Sequence, residues 1–445
     1  MSKTTFVLIC VASLLVNATA ATRPNVLVIT IDDLNDWVGC LGGHPQVKTP
    51  HIDRLAKRGV LFANAHVQAT YCGPSRVSFL SGRMPQTTGS RDMTPYSKFD
   101  SLKDHPPFPM HFRRRGYDSF GGGKIFHHGL GNGWAKDTWT ETIVSGKNPR
   151  PKQPIHWQKR VWDWGAIPGK DTDMGDFKLA QNAAKIVARK HDKPFFVVAG
   201  IRRPHVPLHT PKKWFDMYPV EDIVLPQAPL EDLDDLPHPE MGLAFHAAPE
   251  HQVIVEKKLW KSLVQAYLAS ISFVDHCVGE MLDGLDKGPN QDNTIVVLLS
   301  DHGFHLGEKQ HWAKRTLWEE TTRVPFIISG PTIKPGRSNK PVGLIDLYPT
   351  LCDLTDLPAP IGLEGHSLIP LLKNPNAKWD HAAFTTFEPG DLTVRTEHWR
   401  YIRHPDGKQE LYDHRNDPDE WTNLAAKPEH RRQLNELAAL ASRWK

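Results

Sequence analysis

Cysteine is scarce in this chain, with five in 445 residues. Cys10, Cys40, Cys72, Cys277 and Cys352 are scattered and form no CxxC pair, so neither a zinc knuckle nor a disulfide scaffold is indicated. Cys40, Cys277 and Cys352 read as small buried hydrophobes. Long apolar runs are also missing: beyond the first twenty residues nothing approaches the roughly 20 apolar residues that a membrane-spanning helix needs. Excess charge of one sign is absent too. The formal net charge of +4 is too weak for a nucleic-acid electrostatic footprint. The densest basic cluster, Arg113-Arg114-Arg115, reads as the solvated end of a helix stopped by Gly116.

What is present begins with "MSKTTFVLICVASLLVNATA", which opens on Lys3, runs apolar from Phe6 to Val16 and ends on the small residues Ala18 and Ala20. This is the pattern of a secretory signal peptide over residues 1–20. The expected product is exported, periplasmic or secreted, and not an integral membrane protein.

The next run, "RPNVLVITIDD", is an unbroken β-branched strand from Val26 to Ile31 that stops at two carboxylates. Runs of this kind are doubly covered strands of parallel sheets. Thr49-Pro50 predicts a short helix closed at Gly59, and Pro74 to Gly82 predicts another. "PFFVVAGI" at 194–201, "NTIVVLLSD" at 293–301 and "VPFIISG" at 324–330 are further strands. Apolar residues from Trp260 to Leu285 recur at three- and four-residue steps, which makes one broad helical face. Together these predict an α/β fold, a large mostly parallel sheet flanked by helices, over residues 21–372. Residues 373–445 read as a smaller α+β subdomain, with antiparallel strands in "LTVRTEHWRYIRH" and a terminal helix from Lys427 to Trp444. The aperiodic segments 137–170 and 226–250 read as functional loops that shape a pocket rim.

Two strands ending in Asp32-Asp33 and Asp301-His302 are the chemical signal. Adjacent carboxylates repel unless a cation stands beside them, and ligands of open α/β sheets lie beyond the carboxyl ends of the strands. Three carboxylates suit Ca²⁺, Mg²⁺ or Mn²⁺, while the imidazole leaves zinc open. Cys72 precedes a helix N-terminus, where amide groups and the helix dipole favour an anion.

"CGPSR" at 72–76 resembles the CxPxR recognition sequence of the type I sulfatases. The resemblance continues through "NVLVITIDDLNDWVGCLGG", "GGGKIFHHG", "IRRPHVP", "LLSDHGFHLGEKQHWAK" and "ELYDHRNDPDEWTNLA". Within that family, the Asp-His pair and the "GKIFH", "RPH" and "WAK" stretches are most similar to iduronate-2-sulfatases. The resemblance implies an alkaline phosphatase-like fold and conversion of Cys72, by a formylglycine-generating or equivalent enzyme, to formylglycine, whose hydrate is the nucleophile. It also implies a calcium ion held by Asp32, Asp33, Asp301, His302 and the residue at 72. Arg76 would neutralise the hydrate and the metal-site carboxylates. Lys124 and His127 would surround the hydrate, and His205 and Lys314 would grip the sulfate ester. Arg203 is a further candidate for substrate contact, and His311 could line the pocket. The implied substrate is a sulfated saccharide, with the 2-O-sulfate of an iduronate-type uronic acid foremost. A phosphoester or phosphonate hydrolase is an alternative, though its usual nucleophile is Ser or Thr. A sulfated-glycan-binding protein with an unconverted cysteine is another.

Overall fold

The computed structural model describes residues 23–444 apart from 132, 158–160 and 240–247. The leader therefore lies outside the described residues, as does part of the second rim segment. Eight strands form the central sheet: β1 (Asn25–Asp32), β2 (Val60–Phe62), β3 (Asp118–Gly123), β4 (Glu141–Thr142), β5 (Phe195–Pro204), β6 (Thr294–Ser300), β7 (Phe326–Ser329) and β8 (Gly336–Ser338). Their order is β8-β2-β7-β6-β1-β5-β3-β4. β1 lies at the centre, parallel to β5 on one side and β6 on the other. The expected parallel character holds for every pairing except those of β7, the "VPFIISG" strand, which runs antiparallel to both β6 and β2. β6 and β7 are joined by the long excursion through 301–325, which returns the chain along the neighbouring lane in the opposite direction.

The unbroken apolar run of β1 is explained by its two faces. Leu27, Ile29 and Ile31 point into one core, while Val26 and Val28 point into another. β5 divides in the same way, with Phe195, Val197 and Ala199 on the first side and Phe196 and Val198 on the second. The period of two needs no polar alternation when both faces are covered.

Helices cover both faces. α1 (Pro50–Ala56), α3 (Gly175–Ala188) and the 27-residue α4 (Trp260–Asp286) pack into the first core. α2 (Cys72–Ser81) and α5 (Leu347–Leu354) pack into the second. The arginine run ends the helix Phe108–Arg114, and Gly116 follows with a φ of +95. No helix among the described residues is long and apolar enough to cross a membrane.

The C-terminal strands β9 (Ala383–Thr385), β10 (Leu392–Arg395), β11 (Trp399–Arg403) and β12 (Gln409–Asp413) form an antiparallel sheet. It is covered by α6 (Arg431–Ala441), a shorter helix than the sequence predicts. Buried Arg400 ties this sheet to the main body: it donates to the Leu317 carbonyl (3.0 Å) and Thr322 Oγ1 (2.8 Å), and it pairs with Glu319 and Glu420. The tie falls three residues after Lys314.

Two glycines set the approach of β3 to β5. Gly123 has a φ of +74, and a Cβ there would stand 2.0 Å from the Gly200 carbonyl oxygen; a Cβ on Gly200 would meet the Lys124 carbonyl at 2.4 Å. Backbone cannot yield as a flexible side chain can. Gly200→Ala should therefore displace Lys124, costing about 1–3 kcal/mol of stability from overpacking and most of the activity. Thermal denaturation together with turnover checks this, and a variant matching the parent in both would refute the role given to Gly200.

Candidate active site

The site stands at the carboxyl ends of β1 and β6, the place such sheets reserve for ligands. At Asp33 the strand ends in a left-handed turn with a φ of 64, an uncommon conformation for a residue with a side chain. Tyr267 of α4 holds that turn, its hydroxyl donating to the Asp33 carbonyl (2.7 Å) and accepting from the Asn35 amide (3.0 Å). The Asp33 amide in turn donates to Asp301 Oδ1 (3.1 Å), which locks the two strand ends together.

Each residue of "CGPSR" has a local reason to be where it is. Cys72 is the first residue of α2, at the positive end of the helix dipole. Gly73 permits close approach, since a Cβ there would lie 2.3 Å from the Asp92 carbonyl oxygen. Pro74 sits in the first turn, where its missing N–H is no loss. The Ser75 hydroxyl donates to the Asp301 carbonyl. Arg76 reaches both strand ends, donating to Asp301 Oδ2 (2.9 Å) and Asp32 Oδ1 (3.2 Å) and to the Lys124 carbonyl.

The remaining charges converge on the same point. Lys124 Nζ donates to both Asp32 oxygens (2.8 and 2.6 Å). Lys314 Nζ donates to Asp33 Oδ1 (2.7 Å) and lies 3.1 Å from Cys72 Sγ. His302 Nε2 is also 3.1 Å from that sulfur. Burial opposes ionisation of the Cys72 thiol, but the fields of Lys124 and Lys314 outweigh it and hold the thiol well below its ordinary range. The other cysteines behave oppositely. Burial pushes Cys40 and Cys352 up to about 12 and Cys277 well above its usual value, as expected of small hydrophobes, although Cys40 is only half-buried. All four described cysteines are free.

Asp32, Asp33, Cys72 and His302 present ligand atoms within 4.8 Å of one another. Two observations show that the set fits a cation. Asp33 Oδ2 is buried without a hydrogen-bond partner, and His302 Nδ1 donates to the Gly303 carbonyl (3.0 Å), which turns the Nε2 lone pair inward as metal-ligating imidazoles require. Asp301 stands outside this quartet, its oxygens engaged by the Asp33 amide and Arg76.

His127 is half-buried on the segment after β3, with Nδ1 unpartnered; burial, reinforced by Lys124, pushes it down to about 4. His205 is half-buried, and its Nδ1 donates to the Val206 carbonyl (2.6 Å). Arg203 does not face solvent: it is buried and donates to the carbonyls of His205 and His209 (3.1 Å each), so it positions the His205 loop. His311 likewise supports a neighbour, through a bond to the Lys314 carbonyl (3.0 Å). Sequence reasoning missed Tyr267, which reads as one more residue of an apolar helical face.

A helix-flanked sheet with this arrangement at its carboxyl edge is the alkaline phosphatase-like fold. The phosphonate monoester hydrolase of Agrobacterium radiobacter shares its fold, with a TM-score of 0.77 at 20% identity, covering 95% of this chain and 96% of that one. The sulfatase family model matches residues 24–357, and a model described as N-sulphoglucosamine sulphohydrolase, C-terminal, matches 307–443. A sulfatase of Formosa agariphila is 37% identical over 440 residues, 94% of this chain and 86% of the relative. The iduronate 2-sulfatase of Mus musculus is 31% identical over 391 residues, 76% of this chain and 69% of the relative. The chain belongs to the sulfatase family.

A resident cation at the quartet should stabilise the fold by mass action. Treatment with a chelator is expected to lower the thermal midpoint and abolish activity, with calcium restoring both. A midpoint indifferent to chelation and to added calcium would show that the quartet holds no metal.

Proposed function

We propose that this protein is an exported, calcium-dependent sulfatase whose nucleophile is a formylglycine made from Cys72 by a maturation enzyme of its host, and that it removes 2-O-sulfate from an iduronate-type uronic acid of a sulfated saccharide. One observation carries the reaction class: the cysteine of "CGPSR" has its Sγ 3.1 Å from both His302 Nε2 and Lys314 Nζ, beside the unpartnered oxygen of Asp33. The substrate reading is supported by the relatives' named activities, the mouse iduronate 2-sulfatase among them.

When bound, calcium supplies positive charge that acidifies the nucleophile and takes up charge on the sulfate. The hydrated aldehyde supplies an oxygen nucleophile where the sulfur now stands. The chain's own residues do the rest. Arg76 pairs with Asp301 and Asp32 and holds the two strand ends in register. Lys124 and Lys314 offer ammonium groups to the sulfate oxygens as charge accumulates on them. Once the ester bond is broken, His127, neutral at ordinary pH, takes the proton of the second hydroxyl on residue 72, so that the aldehyde reforms and the sulfate leaves. As the imidazolium, with Nδ1 donating to the Val206 carbonyl, His205 gives its Nε2 proton to the leaving oxygen and is left neutral.

Mass spectrometry of the Cys72 peptide from natively exported protein should find the aldehyde in place of the thiol, and Cys72→Ala should release no sulfate from any saccharide. A thiol in fully active enzyme would sink the nucleophile assignment. Within a panel of defined sulfated saccharides, turnover restricted to esters other than 2-O-sulfated uronates would reject the substrate.

Loss of the base should appear in chemistry rather than in binding. His127→Ala is expected to lower kcat by about 10²-fold or more with KM nearly unchanged. Because a base works deprotonated, the part of the parent's activity that depends on His127 should fall only as the pH drops toward 4, with no loss through His127 between 5 and 8. A kcat equal to the parent's would remove His127 from the mechanism.

A further inference from the structure

A cavity of about 720 Å³ opens beside Lys124 and His127, walled by the segment 139–150 and by Arg202. Its charges are unbalanced. Lys147, Arg150 and Arg202 line it with exposed side chains, and the ion pairs of the described residues include none of the three. The one carboxylate in the wall, Asp176, is committed to holding the wall itself. It accepts from the amides of Arg202 (3.0 Å) and Arg203 (3.1 Å) and from Asn148 Nδ2 (2.8 Å). Asp176 is buried near the start of α3, so the backbone carrying Arg202 is fixed before any ligand arrives.

Like charges around one cavity raise each other's energy unless an anion joins them. The effect registers on Arg203, which burial pushes down to about 10 despite Asp176, with Arg202 and Arg150 adding to the shift. A neutral sugar would give no use for three cations that no described carboxylate pairs. A guanidinium fork, by contrast, matches the paired oxygens of a carboxylate or a sulfate, and the volume suits a ligand larger than one sulfate ester.

We propose that this cavity is the subsite for a second oxyanion of the substrate, a carboxylate or sulfate carried near the ester being cut, with Arg150 and Arg202 as its principal ligands. The proposal rests on the reading of Cys72 as the centre of sulfate ester hydrolysis, and it assigns the residues that would hold the substrate's second anion. The substrate is at least dianionic, and selectivity for it resides in the segment 139–150 and at Arg202.

The test compares calcium-loaded parent, Arg150→Gln and Arg202→Gln on 4-nitrophenyl sulfate, which carries one anion, and on a 2-O-sulfated uronate disaccharide. A third substrate, the same disaccharide with its carboxylate reduced to the alcohol, separates carboxylate from sulfate as the group bound. Each variant should lower the preference for the disaccharide over the aryl sulfate by about tenfold or more, through KM. Arg202→Lys should recover part of it by restoring charge without the fork. A purely structural lesion lowers both substrates alike and leaves the preference intact, and that outcome overturns the proposal. If the parent cleaves no sulfate ester, the reading of Cys72 fails by itself. Calorimetric binding of the uronate disaccharide to the Cys72→Ala protein then decides the subsite: binding lost in Arg202→Gln upholds it, and unchanged or absent binding overturns it.

Discussion

Three carboxylates, Asp32, Asp33 and Asp301, are fully buried at the ends of two adjacent strands, and the site depends on their neutralisation. An uncompensated buried charge costs several kcal/mol, so each carboxylate must have a partner or give up its charge. Arg76, Lys124 and Lys314 are those partners, delivered from α2, from the end of β3 and from the excursion after β6. Each comes from a different part of the chain. The fold is the means by which three distant cations meet three carboxylates in one dry place.

The same arrangement prepares the chemistry. Cations that hold the carboxylates also surround Cys72, and their fields depress its thiol although the site is buried. Whatever anion forms at that position is stabilised before it forms, which is the preorganisation a hydrolase of an anionic ester needs. Supports lie outside the cluster. Tyr267 fixes the turn at Asp33, Arg203 fixes the His205 loop and Arg400 secures the chain just beyond Lys314. Tyr267 and Arg400 have no role visible in composition or motif, and Arg203, which the sequence offers for substrate contact, bonds to backbone carbonyls.

Much of the fold was legible. The β-branched runs of β1, β5 and β6 announce covered central strands, and the helical face from Trp260 onward matches α4 closely. The direction of β7 was not legible, since a short apolar run carries no sign of which way it travels. Arg202 was not legible either. In sequence its neighbour Arg203 is the one picked out for substrate contact, whereas the strand buries Arg203 in the cavity wall and leaves Arg202 exposed there.

What the sequence determined by itself was the chemical repertoire: carboxylates where strands end, a cysteine at a helix start and the "CGPSR" signal around it. Local rules suffice there, because strand ends, helix starts and short motifs are set by residues near one another. Only the tertiary structure decided which charges meet. It drew Asp32, Asp33, Cys72 and His302 into one quartet, bonded Asp301 to the Asp33 amide and Arg76 beside it, and gathered Lys147, Arg150 and Arg202 around a cavity where the ion pairs of the described residues include none of them. Electrostatic pairing is a matter of distances through space, and distances between residues far apart in the chain exist only once it has folded.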